Sequence, residues 1–89
     1  MTSALILLAN GVEEMEAVIV IDTFRRAKWQ VTAVGVGAEV ITASRGVRLL
    51  PDAAWSEVDP AAFDLLVIPG GQAGTEALAG IRPGGCPRA

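Results

Sequence analysis

Two stretches of this sequence hold residues that could do chemistry. In the first, Pro69-Gly70-Gly71 follows the branched apolar run Leu65-Leu66-Val67-Ile68. Glycines at such a point can take φ > 0 and leave backbone N–H groups uncovered by side chains. With a helix opening over Gln72 to Leu78, those N–H groups would attract a bound anion or a developing oxyanion. The second stretch, Glu13-Glu14-Met15-Glu16, sets three carboxylates within four residues. A carboxylate can accept, hold and return a proton for a reacting neighbour. Both stretches also have ordinary explanations. Gly-rich turns commonly join a strand to a helix. Acids in a first helical turn offset the helix dipole, each by up to ~1 kcal/mol.

Other reactive residue types are scarce. The 89 residues hold no histidine and one cysteine, Cys86. Without histidine the commonest general base and metal ligand is missing, and no metal site is read. A single cysteine excludes an intramolecular disulfide and a thiolate metal site within one chain. Cys86 lies between Gly84-Gly85 and Pro87, with no strand feeding it. An activated thiol needs a positioned elbow and a partner that lowers its pKa, so Cys86 reads as an inert tail thiol. The run Gly70-Gly71-Gln72-Ala73-Gly74 is not G-x-G-x-x-G, and no Gly-Lys-Ser/Thr follows. No nucleotide and no other cofactor is therefore expected. Seven basic and ten acidic side chains give a net charge of −3 with no basic patch, which disfavours a phosphate-contacting nucleic-acid binder. No apolar run approaches the ~20 residues of a membrane span. Met1-Thr2-Ser3 lacks the positive start of a signal peptide, and a reducing cytoplasm is the expected compartment.

The elements that must position these groups alternate. Ala4 to Ala9 is a short unbroken apolar run ending at Asn10-Gly11, as expected of a buried strand and a turn. Glu13 to Ala27 follows. Its β-branched centre, Val18 to Ile21, favours a strand by propensity. Acids at its start, Arg25, Arg26 and Lys28 at its end, and a length of about four turns favour a helix between two strands. The middle of that helix is apolar all round, so one side should lie on the sheet and the other should meet a second subunit. Gln30 to Val36 reads as the second strand. Val40–Ala43 and Val47–Leu50 flank Ser44-Arg45-Gly46 as a hairpin-like pair. In the link from Trp55 to Phe63, Asp59-Pro60 suits the N-cap and first position of a short helical turn. Trp29 and Trp55 are expected to be half-buried. Leu65 to Ile68 should be a parallel strand covered on both faces. From residue 79 the period stops, and residues 79–89 read as a tail whose Gly, Arg, Pro, Ala and Cys bias suits out-of-frame translation.

Several motifs are familiar together. Asn10-Gly11-Val12-Glu13-Glu14-Met15-Glu16-Ala17-Val18, Asp22 through Ala27, Thr42-Ala43-Ser44-Arg45-Gly46-Val47, Leu50-Pro51-Asp52-Ala53 and Asp64 through Gly71 occur in this order. In order and spacing they resemble the ThiJ/PfpI family, collinearly from about Ser3 to Leu78, and most closely its deglycase branch. The resemblance implies an α/β fold, a flavodoxin-like parallel-sheet sandwich of the class I glutamine-amidotransferase kind, with residues 1–78 as its N-terminal portion. It implies a homodimer without a cofactor. A glutamate at the Glu16 position would hydrogen-bond a catalytic cysteine and tune its ionisation. The Gly70 and Gly71 amides would form an oxyanion hole. Met15, Arg26 and Arg45 would border the dimer interface and active site.

The implied activities are deglycation of proteins or nucleotides, glyoxalase action on small carbonyl compounds, chaperone-like behaviour and, in one branch, peptidase action. The family's nucleophile should lie on a further strand, in an Ala-x-Cys-x-Gly elbow well beyond Gly71, and no such elbow occurs in the 89 residues. The chain is therefore expected to be a shortened relative without the nucleophilic cysteine. The alternative expectation is an inactive fragment that keeps an association surface. With strands and covering helices missing, it should associate or aggregate.

Overall fold

The parallel sheet grows outward from the first strand. A computed structural model of the chain describes residues 1–70. Strand β1 (Ser3–Leu8) leads through Asn10-Gly11 into helix α1 (Glu14–Arg26), and β2 (Gln30–Gly35) returns parallel to β1. Two short strands follow, β3 (Ile41–Thr42) and β4 (Arg48–Leu49), paired antiparallel through the Ser44-Arg45-Gly46 turn. Then come β5 (Ala53–Ala54), 3-10 turns at Trp55–Glu57 and Pro60–Ala62, and β6 (Leu65–Val67). The sheet runs β5-β2-β1-β6, every pairing parallel. Its order reverses between β1 and β6, since the chain steps from β1 to β2 on one side and returns to β6 on the other.

β1 is the hub because its residues are apolar on both faces. Ala4, Ile6 and Leu8 pack under α1 with Ala17, Val20 and Phe24. Leu5, Leu7 and Ala9 pack on the opposite face with Val34 and Trp55. A fully buried Leu or Ile contributes roughly 1.5–3 kcal/mol, so β1 anchors both layers. The Glu13–Ala27 segment is a helix despite its branched centre, because packing on the sheet outweighs β-propensity. Its C-terminus closes in a Schellman motif. Trp29 N–H donates to Phe24 O at 3.1 Å and Lys28 N–H to Arg25 O at 3.0 Å, while the Phe24 and Trp29 rings stack 4.4 Å apart. Lys28 holds the left-handed position with φ 67°, where glycine is usual.

Several expectations are corrected. Leu65–Ile68 is not covered on both faces: β6 is three residues long, and Leu66 remains 49% exposed. Among the described residues β6 is hydrogen-bonded to β1 alone, so one edge of it carries no pairing. The hairpin strands are shorter than expected, at two residues each, with the Ala43 N–H donating to Val47 O at 2.8 Å across the base of the turn. The strand at Ala53–Ala54 carries no period-2 signal, and its pairing comes from Asp52. The Asp52 carboxylate accepts from Ala33 N at 2.8 Å, and Asp52 N–H donates to Ala33 O at 2.7 Å, which lays the following residues along β2. Trp29 is half-buried as expected. Trp55 is buried at 8% exposure, and among the described residues its indole N–H has no hydrogen-bond partner. Asp59 caps the Pro60–Ala62 turn by accepting from Ala61 N at 3.1 Å, as its sequence suggests.

Candidate functional site

The loop after β1 and the residues after β6 meet at the carboxyl ends of their strands. In open α/β sheets this point of order reversal is where a crevice forms and ligands bind. The loop is held on the other side by the hairpin: Gly11 N–H donates to Thr42 O at 2.9 Å, and Thr42 N–H to Asn10 Oδ1 at 3.0 Å. So α1 begins at a fixed place beside Gly70.

The three glutamates then separate by role. Glu13 is the N-cap of α1, its side chain accepting from Met15 N at 3.1 Å. Glu16 is the third helical residue, whose carboxylate would ordinarily fold back to the N-cap amide. Here the Glu13 N–H instead donates to Gly70 O at 2.7 Å. The Glu16 carboxylate, relieved of that partner, accepts the Gly70 N–H on Oε2 at 2.7 Å. Glu16 thus stands where the strand order of the sheet reverses, tied to a residue 54 positions away.

Gly70 is a glycine for reasons of space. Its φ lies outside the left-handed range, so the freedom that glycine permits there is not used, and an added Cβ would meet the end of the Glu16 side chain. The negative group that its N–H finds in this arrangement is Glu16. Gly71 and Cys86 lie outside the described residues, as does the expected helix from Gln72.

Glu14 is legible in the sequence only as one more acid of the first turn, yet it is the buried charged residue among those described, at 9% exposure. Ser44 Oγ donates to its Oε1 at 2.6 Å and Arg45 N–H to its Oε2 at 2.9 Å. The Ser44 hydroxyl above all, with the backbone N–H groups of Glu14, Arg45 and Val47, holds the Glu14 carboxyl down to about 2 against the opposing effect of burial. An apolar residue pattern gives no warning of this. The one usable signal is a serine in the following turn, whose hydroxyl can reach a carboxylate only if helix and hairpin touch.

The other expected site residues disperse. Met15 is 68% exposed and lines an open groove of about 380 Å³ with Glu14, Val18, Ile19 and Val47. Arg26 is ten residues beyond Glu16 on α1, about 15 Å along the axis, and pairs with Asp22 at 2.9 Å. Its neighbour Arg25 makes the longer reach, to Asp52 at 2.9 Å. Arg45 contributes its backbone N–H to the Glu14 contact, and its guanidinium has no hydrogen bond or ion pair among the described residues. Among the described residues no group of three His, Cys, Asp or Glu is placed to hold a metal ion, and no helix is long and apolar enough to cross a membrane.

Comparison with known proteins agrees with this architecture. Over 77 residues the chain is 46% identical to protein dj-1beta of Drosophila melanogaster, covering 85% of this chain and 41% of that protein. The crystal structure of Drosophila melanogaster DJ-1beta superposes with a TM-score of 0.82 at 45% identity, covering 86% of this chain and 42% of the other. A protein of Caenorhabditis elegans named glutathione-independent glyoxalase DJR-1.2 is 39% identical over 70 residues, which cover 78% of this chain and 38% of that protein. The chain spans less than half the length of these relatives. The DJ-1/PfpI family matches residues 2–82. The parallel sheet with α1 on one face is thus that of a flavodoxin-like α/β fold, and the chain belongs to the DJ-1/PfpI family.

Proposed function

We propose that residues 1–78 supply the carboxylate side of a reactive-carbonyl site of the glyoxalase and deglycase kind. One observation carries this reading: the Glu16 carboxylate is held at the reversal point of the sheet by the Gly70 N–H at 2.7 Å. The glyoxalase name of the Caenorhabditis elegans relative supports it. In the proposed reaction a thiolate adds to the aldehyde carbon of a small 2-oxoaldehyde. As the sulfur–carbon bond forms the carbonyl π bond breaks, and Glu16, having taken the proton of the attacking thiol, returns it to the resulting alkoxide oxygen. No nucleophilic role is assigned to Cys86, the one cysteine among the 89 residues.

A chimera tests this reading. Residues 1–70 replace their counterpart in the Caenorhabditis elegans glyoxalase, which contributes the remainder of its fold. The chimera is expected to consume methylglyoxal, and Glu16→Gln is expected to lower the rate by roughly 10²–10⁴-fold. A folded chimera that does not react, or that is indifferent to Glu16→Gln, overturns it. The 89-residue chain by itself is expected not to consume methylglyoxal. Consumption that vanishes in Cys86→Ser would make Cys86 a nucleophile.

A second reading rests on a different observation. Met15, Val18 and Ile19 form an apolar face on α1 that the sheet does not cover. We propose that this face meets a second copy of the chain, as a homodimer in the cytoplasm. An interaction or chaperone-like role would use the same surface. Sedimentation equilibrium reads it directly: mass should rise toward twice the monomer with concentration, and a constant monomer mass would reject it.

A further inference from the structure

The α1 groove has two walls from different elements. One is Met15, Val18 and Ile19 on the helix, and the other is Val47, just past the hairpin turn. Something must hold that turn against the helix. The Ser44 N–H donates to Val12 O at 2.8 Å, and Gly46 takes a left-handed φ of 86°. Thr42 is tied to Asn10 and Gly11 before the helix, and among the described residues two further ties end on one helix side chain. Glu14 sits at the base of the groove, 9% exposed, with one oxygen on the Ser44 hydroxyl at 2.6 Å and the other on the Arg45 amide at 2.9 Å.

A carboxylate spanning two donors fixes a turn in both position and orientation, as a single hydrogen bond cannot. We propose that Glu14 is a positioning residue for the association groove: by clasping Ser44 and Arg45 it sets where Val47 stands as the far wall and where Arg45 stands beside it. The depressed ionisation of Glu14 is consistent with a clasp that is charged at neutral pH. This rests on the reading of the groove as the contact with a second copy.

Two measurements on the full 89-residue chain keep the two ideas apart. The first is amide hydrogen exchange in wild type, Glu14→Gln and Ser44→Ala. Exchange of the Arg45 amide is expected to quicken roughly tenfold or more in Glu14→Gln, with a smaller effect in Ser44→Ala. Amides of β1 and β2 should be unmoved. Unchanged exchange at Arg45 overturns the proposal whatever the oligomeric state. The second is the dimer dissociation constant. Glu14→Gln and Ser44→Ala are each expected to weaken it about tenfold. The double variant should weaken it no more than Glu14→Gln alone, because both act through one clasp. An unchanged constant in Glu14→Gln, with quickened exchange at Arg45, overturns the link between clasp and groove. A wild type that stays monomeric removes the reading of the groove and also this link, leaving Arg45 exchange to decide the clasp. Should Glu14→Gln fail to fold, Ser44→Ala, which removes one hydroxyl and leaves the Arg45 amide bond in place, decides both questions by the same two measurements.

Discussion

Glu16 is available to the crevice because Gly70 takes over its usual task. Its ordinary partner, the N-cap amide, is already satisfied by the Gly70 carbonyl. The Glu16–Gly70 pair therefore depends on the missing Cβ. Gly70→Ala is expected to push the carboxylate aside and cost about 1 kcal/mol, the net worth of one hydrogen bond. Adding Glu16→Ala to it should cost little more, since both remove the same contact, and urea midpoints of the singles and the double check this. Glu14 makes a prediction in pH. Its folded pKa, about 2, lies below the ordinary carboxyl value of 4.5, so the unfolded chain binds the extra proton first. Its contribution is then fully present above about pH 5 and is lost as pH falls toward 2. The melting temperature of wild type should exceed that of Glu14→Gln most at neutral pH. The gap should close over that acid window, and a gap constant with pH would contradict the assignment.

At the scale of elements, α1 is fixed differently at its two ends. The N-terminus is capped by Glu13 and tied by Glu14 to Ser44 and Arg45 and by Glu16 to Gly70. The C-terminus relies on a Schellman turn whose left-handed residue is Lys28. A non-glycine residue there costs ~1–2 kcal/mol, partly offset by the entropy that glycine loses on folding. Lys28→Gly should therefore stabilise the chain by about 0.5–1 kcal/mol, read as a rise in melting temperature of several degrees. Asp52 plays the matching part for β5. Its pair with Arg25 is half-exposed and worth ~1 kcal/mol or less, whereas its bond to the Ala33 amide registers the strand. Asp52→Ala should thus cost more than Arg25→Ala in denaturant unfolding. The reverse order would place the weight on the ion pair.

At the scale of the molecule, both faces of β1 are covered, and among the described residues the apolar surface left in solvent lies on the outer side of α1 and along β6. α1 covers one side of β1, and its outer face keeps Met15 and Ile19 in solvent at 68% and 58% exposure. Leu66 and Ile68 add apolar surface along β6. Contiguous exposed apolar surface beside an edge strand drives association. Light scattering is expected to show mass rising with concentration. Ile19→Lys should return the particle toward monomer while changing stability by no more than about 0.5 kcal/mol, because the side chain is not part of the core. A sharp monomer in wild type at every concentration would contradict this.

Sequence alone determined what is local. Apolar runs marked β1 and β6, alternation of Val with polar or small residues marked β2, charge at both ends marked α1 in spite of Val18 to Ile21, and Asp59-Pro60 marked a capped turn. The ordered motifs from Asn10 to Gly71 carried the family resemblance. Tertiary structure decided what is distant. Glu13, Glu14 and Glu16 look equivalent in a row, because period and composition describe only neighbours along the chain. Their partners are Met15 nearby, Ser44 and Arg45 some 30 positions on, and Gly70 at 54. Ala53–Ala54 became a strand for the same reason, since two alanines have no pattern and Asp52 supplies the pairing. What Gly70 does for Glu16 also lies in space rather than in φ: the carboxylate that occupies the room of a side chain at Gly70 comes from 54 positions away.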